Sequence, residues 1–165
     1  MIVLGVDPGL GKTGFAVLEK NGRTITILEA GYIKTDTKAD LPIRLTEIYY
    51  GLDEIIKTYN PDKVGVETVF AAKNISSTIK LSHARGTILL CSGLNKIDVS
   101  EFSPREVKQA ITGSGSATKE QIIFMIRNLT GLKNIEGPSD AFDAISIGVA
   151  VLQSIRINHD RKTLR

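Results

Sequence analysis

The 165-residue sequence predicts one α/β domain: a mixed sheet with helices on its faces. Three observations predict it. The first fifth of the chain carries three β-rich stretches in succession, the second and third separated by Asn21-Gly22. Helical and strand-like segments then alternate. The last helical segment is apolar on most sides, so it must be buried, and a sheet is the surface available to bury it. The order is βββ-α-β-α-β-α-α-α, an antiparallel meander followed by strands reached through helices.

Each element has a local reason. Residues 2–6, Ile-Val-Leu-Gly-Val, are a short apolar run halted by Asp7-Pro8-Gly9, a buried strand and its turn. Residues 13–19 and 23–34 are the next two strands, with Asn21-Gly22 as their hairpin signal. A helix follows, with Asp40 as its cap and Pro42 in its first turn. Leu41, Leu45, Ile48, Leu52, Ile55 and Tyr59 recur every three or four residues as its apolar stripe. Residues 64–67 form a short strand, 74 to about 94 a helix despite Gly86, and 97–102 the fifth strand. Ser103-Pro104-Arg105-Glu106 and Thr118-Lys119-Glu120-Gln121 each open a helix with a capping box. Gly113-Ser114-Gly115-Ser116 between them reads as a flexible loop. The last helix is expected from about 139 to 157, so residues 1–157 are one domain and 158–165 a polar tail that frays.

Composition narrows the function classes. Apolar residues are 42% and charged residues 24%, ordinary for a globular chain, which excludes disorder and disulfide scaffolds. The single cysteine, Cys91, makes no intrachain disulfide and is expected in the core. The densest apolar stretch, 144–152, is too short to span a bilayer, and the first residues carry no basic leader. A cytoplasmic protein is the expectation. The net charge of +3 is unevenly spread. Residues 1–67 hold eight Lys/Arg against ten Asp/Glu, whereas 68–128 hold eight against four. That basic middle is either a solvated helical surface or a face for a polyanion.

Four acids stand out by position. Asp7 ends the first strand, Glu67 ends the fourth, and Asp140 and Asp143 share one face at the start of the last helix. Each alone has an ordinary explanation: a turn residue, a strand-end charge, a pair serving the helix dipole. Together they sit where open α/β sheets place their sites. Carboxylates converging there cannot all ionise without a counter-charge, and a hard divalent cation, above all Mg²⁺, suits an all-oxygen set. Two such ions could activate a water and stabilise the leaving oxygen of a phosphodiester. Other chemistries fit less well. Gly11-Lys12-Thr13 ends like a P-loop, but position 6 is Val and a β-like stretch follows. His83 and His159 have no partner at zinc-ligand spacing. Phe70, in Val69-Phe70-Ala71-Ala72-Lys73-Asn74 just after Glu67, is either core or a base-stacking residue. Lys108 and Lys119 flank the Gly-Ser loop near helix N-termini that could face phosphates.

Six ordered blocks carry a resemblance. They are Gly5-Val6-Asp7-Pro8-Gly9 with Thr13-Gly14; Val66-Glu67-Thr68-Val69-Phe70 with Ala72-Lys73-Asn74; Ala84-Arg85-Gly86; Val107-Lys108-Gln109; Gly113-Ser114-Gly115-Ser116-Ala117; and Asp140-Ala141-Phe142-Asp143-Ala144. The chain resembles the RuvC family of Holliday junction resolvases from near residue 2 to near residue 150. The resemblance implies a ribonuclease H-like fold: a five-stranded mixed sheet, an antiparallel meander plus two parallel strands, flanked by helices. It implies a homodimer that nicks four-way junction DNA symmetrically, with Mg²⁺, two ions per site, leaving 5′-phosphate ends. Asp7, Glu67, Asp140 and Asp143 would be the catalytic metal ligands. Phe70, Lys73, Arg85, Lys108 and Lys119 would contact DNA, and the helix around 75–92 would lie at or near the dimer interface. A hexameric branch-migration motor and its junction-binding partner would be the co-workers. Phe142 stands between the paired acids, where the family often has a small residue. The same acids would also serve a ribonuclease H-like RNA-processing nuclease. Classes with other activities are an actin-like nucleotide-binding domain and a non-catalytic junction-binding scaffold.

Overall fold

The structure, a computed structural model, describes residues 1–68, 75–131 and 139–163. The meander is β1 (Ile2–Asp7), β2 (Lys12–Asn21) and β3 (Thr24–Lys34). Then come α1 (Leu41–Tyr59), β4 (Lys63–Glu67), α2 (Ile75–Leu94) and β5 (Asp98–Phe102). Three helices finish the chain: α3 (Pro104–Thr112), α4 (Lys119–Thr130) and α5 (Ser139–Thr163). The sheet order is β3-β2-β1-β4-β5, with β2 antiparallel to both neighbours and β4 parallel to both of its own. This is the predicted five-stranded mixed sheet.

The inner strands β1, β2 and β4 are buried on both faces. One face packs α1 and α2 against Leu4, Val6, Val17, Val64 and Val66. The other packs α3, α4 and α5 against Val3, Ala16 and Leu18. Alternation along β1 and β4 therefore decides where their terminal acids point. Leu4 and Val6 face α1, so Gly5 and Asp7 face α5. Val64 and Val66 face α1, so Gly65 and Glu67 also face α5. Gly5 pairs with Gly65 and Val6 with Val66 in the parallel ladder, and one further step brings Asp7 abreast of Glu67.

Glycine lets α5 lie directly on this surface. A side-chain carbon at Gly5 would stand 2.2 Å from the Ala144 carbonyl oxygen and 2.5 Å from the Gly148 nitrogen. One at Gly14, which pairs with Asp7, would stand 2.2 Å from the Asp140 carbonyl oxygen. The Gly14 contact sits under the first turn of α5 and brings Asp140 to the strand ends. Gly14→Ala must push that turn away, so a loss of ~1–3 kcal/mol of stability is expected. A chemical-denaturation midpoint equal to that of the unsubstituted protein would refute it.

Several local expectations change. Asp40 sits at the head of α1, but its side chain makes no capping bond; its carbonyl oxygen accepts from the Ile43 and Arg44 amides instead. The buried stripe of α1 is Ile48, Leu52 and Ile56, while Leu41 is exposed. The hairpin turn is one residue later than Asn21-Gly22 suggests. Asn21 pairs with Thr24, and Gly22 at φ 62 and Arg23 take the two central positions. The Gly-Ser segment is tied rather than loose. The Thr112 hydroxyl donates to the Ser114 carbonyl oxygen at 3.0 Å, Gln109 donates to the Gly113 carbonyl oxygen at 2.6 Å, and Ala117 is buried. The α5 backbone runs on to Thr163 instead of stopping near 157. Both capping boxes are present, Cys91 is buried, and Lys12-Thr13 opens a strand, which disposes of the P-loop. Among the described residues no helix is long and apolar enough to cross a membrane.

Candidate active site

Three elements bring the acids to one end of the sheet. Asp7 and Glu67 come from the carboxyl ends of β1 and β4, and Asp140 and Asp143 from the first turns of α5. Glu67 and Asp143 line an open cleft of about 290 Å³ with Lys108 of α3, Lys119 of α4, Phe142 and Ser146. Asp7 lies within electrostatic reach of Glu67, Asp143 and Asp140.

Burial and like charge act together on these groups. Burial, then the neighbouring Glu67, Asp143 and Asp140 carboxylates, push the Asp7 carboxyl up to about 7. Burial and Asp143 also raise Glu67, while a side-chain hydrogen bond with Asp7 opposes the rise. Burial raises Asp143, against the Lys119 ammonium, which lowers it. Such a set resists full ionisation, as paired carboxylates do.

The donor set fits a hard divalent cation. It is all carboxylate oxygen, and the ion pairs among the described residues, Lys57–Asp53 and Arg85–Glu101, involve none of the four acids. No three His, Cys, Asp or Glu side chains among the described residues are already arranged as a metal cage.

The basic residues divide. Lys108 and Lys119 are both in the cleft, opposite the acids. Arg85 lies outside the cleft, where its guanidinium is paired with Glu101 of β5 and ties α2 to the sheet edge. Its Nε is buried and has no hydrogen-bond partner among the described residues. Phe70 and Lys73 lie outside the described residues. Sequence reasoning gave Phe142 no role, yet its ring lines the cleft with the Lys119 ammonium 5.9 Å from the ring centroid. The available signal was its place between two acids on one helix end. Ser146 was also missed; its hydroxyl donates to the Phe142 carbonyl oxygen at 3.0 Å, one turn away.

Residues 3–151 match the family model described as "Crossover junction endodeoxyribonuclease RuvC". The chain belongs to the RuvC family. Curated RuvC relatives span nearly the same length. The Desulforamulus reducens protein is 40% identical over 153 residues, covering 93% of this chain and 94% of its own. The Brachyspira hyodysenteriae protein is 39% identical over 162 residues, covering 98% and 100%. Among solved structures, T. thermophilus RuvC in complex with a Holliday junction substrate is 29% identical and superposes with a TM-score of 0.90 over 96% of each chain. The yeast mitochondrial Holliday junction resolvase Ydc2, at 16% identity and a TM-score of 0.62 over 98% of this chain and 82% of its own, shares the fold. The RuvC family's nucleases are metal-dependent, in keeping with the oxygen-rich pocket.

Proposed function

We propose that this crossover junction endodeoxyribonuclease cuts four-way DNA in the cleft between β4, α3, α4 and α5, with Asp7, Glu67, Asp140 and Asp143 holding two Mg²⁺ ions. The observation that carries this is the meeting of acids from β1, β4 and α5 opposite Lys108 and Lys119. Divalent cations bound there supply Lewis acidity for the attacking water and the leaving oxygen. The chain's own part would be to offer the carboxylate oxygens of Asp7, Glu67, Asp140 and Asp143 as ligands and to set two ammonium groups against the phosphodiester. Phe70 and Lys73 would extend the DNA contact beyond the cleft.

A homodimer is part of the reading. The outer face of α2 exposes Ile79, Leu90 and Leu94, with Gly86 and Gly93 opening onto free space among them. A flat apolar helix face suits a two-fold interface, and two equal sites suit a junction of approximate two-fold symmetry. Leu90→Glu is expected to yield monomers by light scattering; a persistent dimer would place the interface elsewhere. A hexameric branch-migration motor and its junction-binding partner, and a cytoplasmic setting, are proposed on family resemblance alone.

The test uses a labelled synthetic four-way junction, a matched linear duplex and an RNA duplex, each with Mg²⁺ or EDTA. Paired symmetric nicks in the junction alone, absent in EDTA, are expected. Binding without cutting would leave a scaffold, and preference for RNA a ribonuclease. Junction affinity should fall steeply with salt, log K against log salt having a slope of about −0.9 per phosphate contacted. A flat plot would remove the phosphate contacts from the account.

A further inference from the structure

The turn that follows Asp7 is clamped from outside the acid pocket. Three successive carbonyls in it are taken. The Thr13 hydroxyl donates to the Gly9 oxygen at 2.8 Å. The Leu10 oxygen accepts from the Thr35 hydroxyl at 2.6 Å and from Arg44 Nη2 at 2.9 Å. The Thr35 amide donates to the Gly11 oxygen at 3.1 Å. Arg44 Nε donates in turn to the Thr35 hydroxyl oxygen at 3.1 Å, so Thr35, Arg44 and the Leu10 carbonyl form a closed triangle.

Two features separate this triangle from ordinary packing. Thr35 is 1% exposed and its hydroxyl is used both as donor and as acceptor. Arg44, in the first turns of α1, spends its charge on a backbone carbonyl, and neither ion pair among the described residues includes it. Charge-assisted bonds of this kind are the stronger ones. The turn itself has little slack: a side-chain carbon at Gly9 would stand 2.0 Å from the Lys12 carbonyl oxygen, and Pro8 fixes its own φ.

We propose that Thr35 and Arg44 are positioning residues for the cleavage reaction: by clamping the Leu10 carbonyl they fix the β1–β2 turn, and through it the Asp7 carboxylate. This rests on Asp7 being a metal ligand. Metal sites tolerate about half an ångström of misplacement, and outer supports of ligands are typically worth 10–100-fold in metal affinity or activity.

The test compares Thr35→Val and Arg44→Gln with the conservative Thr35→Ser, and with Asp7→Asn as control. Mn²⁺ binding is measured by calorimetry without DNA, junction binding in EDTA, and melting temperature alongside, all below the melt. Thr35→Val and Arg44→Gln are expected to weaken Mn²⁺ binding about tenfold or more. Junction affinity in EDTA should stay within twofold, and Thr35→Ser should keep both properties. Unchanged Mn²⁺ isotherms, even with a lowered melting temperature, would show that the triangle serves only the fold. Loss of junction affinity in EDTA by Arg44→Gln would make Arg44 a DNA contact and overturn the proposal. Should Thr35→Val not fold, Arg44→Gln against Arg44→Lys decides, since lysine keeps the charge and can still donate to the Leu10 oxygen: Arg44→Lys is expected to hold Mn²⁺ more tightly than Arg44→Gln, and binding as tight in Arg44→Gln as in the unsubstituted protein would overturn the proposal. Asp7→Asn that still binds Mn²⁺ and cuts normally would instead overturn the metal-site reading, whatever the triangle does.

Discussion

Asp7→Asn is expected to cut junction cleavage by on the order of a thousandfold or more while leaving junction binding in EDTA intact. The same substitution should stabilise the metal-free protein at alkaline pH. Asp7 stands at about 7 in the fold, above the ordinary aspartate value of 3.8. The folded protein therefore keeps a proton that the unfolded chain has lost, and stability falls as pH rises from about 4 to about 7. Above that window the buried charge costs at most about 4 kcal/mol. Asparagine carries no such charge, so the melting temperature of Asp7→Asn should exceed that of the unsubstituted protein at pH 8 and converge with it near pH 4. Mg²⁺ or Mn²⁺ should raise the melting temperature of the unsubstituted protein more at pH 8 than at pH 5, because the cation competes with a proton at pH 5. Thermal melts across pH, with metal and with EDTA, check both. Cleavage retained in Asp7→Asn would sink the role of this acid, and a melting temperature that rises with pH would contradict its burial.

Lys119→Ala is expected to lower cleavage ~100-fold, in the range for removing one preorganised electrostatic group, with junction affinity changed far less. It should also move the pH dependence. The Lys119 ammonium lowers the Asp143 carboxyl. Without it Asp143 ionises at higher pH, so the acid limb of the cleavage profile should shift upward. Phe142→Ala frees the ammonium from the ring face and is expected to cost only a few-fold, as a partly exposed cation–π contact would. Phe142→Tyr should restore it and Phe142→Leu should not, because leucine fills the space without an aromatic face. Single-turnover rates across pH decide between these outcomes. An unshifted acid limb in Lys119→Ala would mean that Lys119 acts on the phosphate alone.

Much of the site was legible along the chain for a simple reason. A strand ends where its apolar run ends, so Asp7 and Glu67 announce themselves as the first polar residues past buried strands. The i, i+3 spacing of Asp140 and Asp143 puts them on one helix face wherever the helix lies. Less legible was anything set by a partner far away in sequence. Arg85 is paired with Glu101, 16 residues on, and nothing beside Arg85 in the chain announces that partner. The Leu10 carbonyl is held by side chains 25 and 34 residues away. The Gly-Ser segment has the composition of a loose loop, and only the nearby hydroxyls and the flanking helix ends show it closed.

By itself the sequence determined the element order, the sheet class, the family and where the four candidate acids stand along the chain, because periodicity, turn residues and ordered motif blocks are local properties. The tertiary structure decided which face of the sheet the acids occupy, that Lys108 and Lys119 join them while Arg85 does not, and that Phe142 lies beneath Lys119. Those outcomes depend on α5 resting against Gly5 and Gly14, where no side chain intervenes. A contact between backbones distant in sequence leaves no periodic trace in the chain; it exists only once the sheet and the helix are both formed.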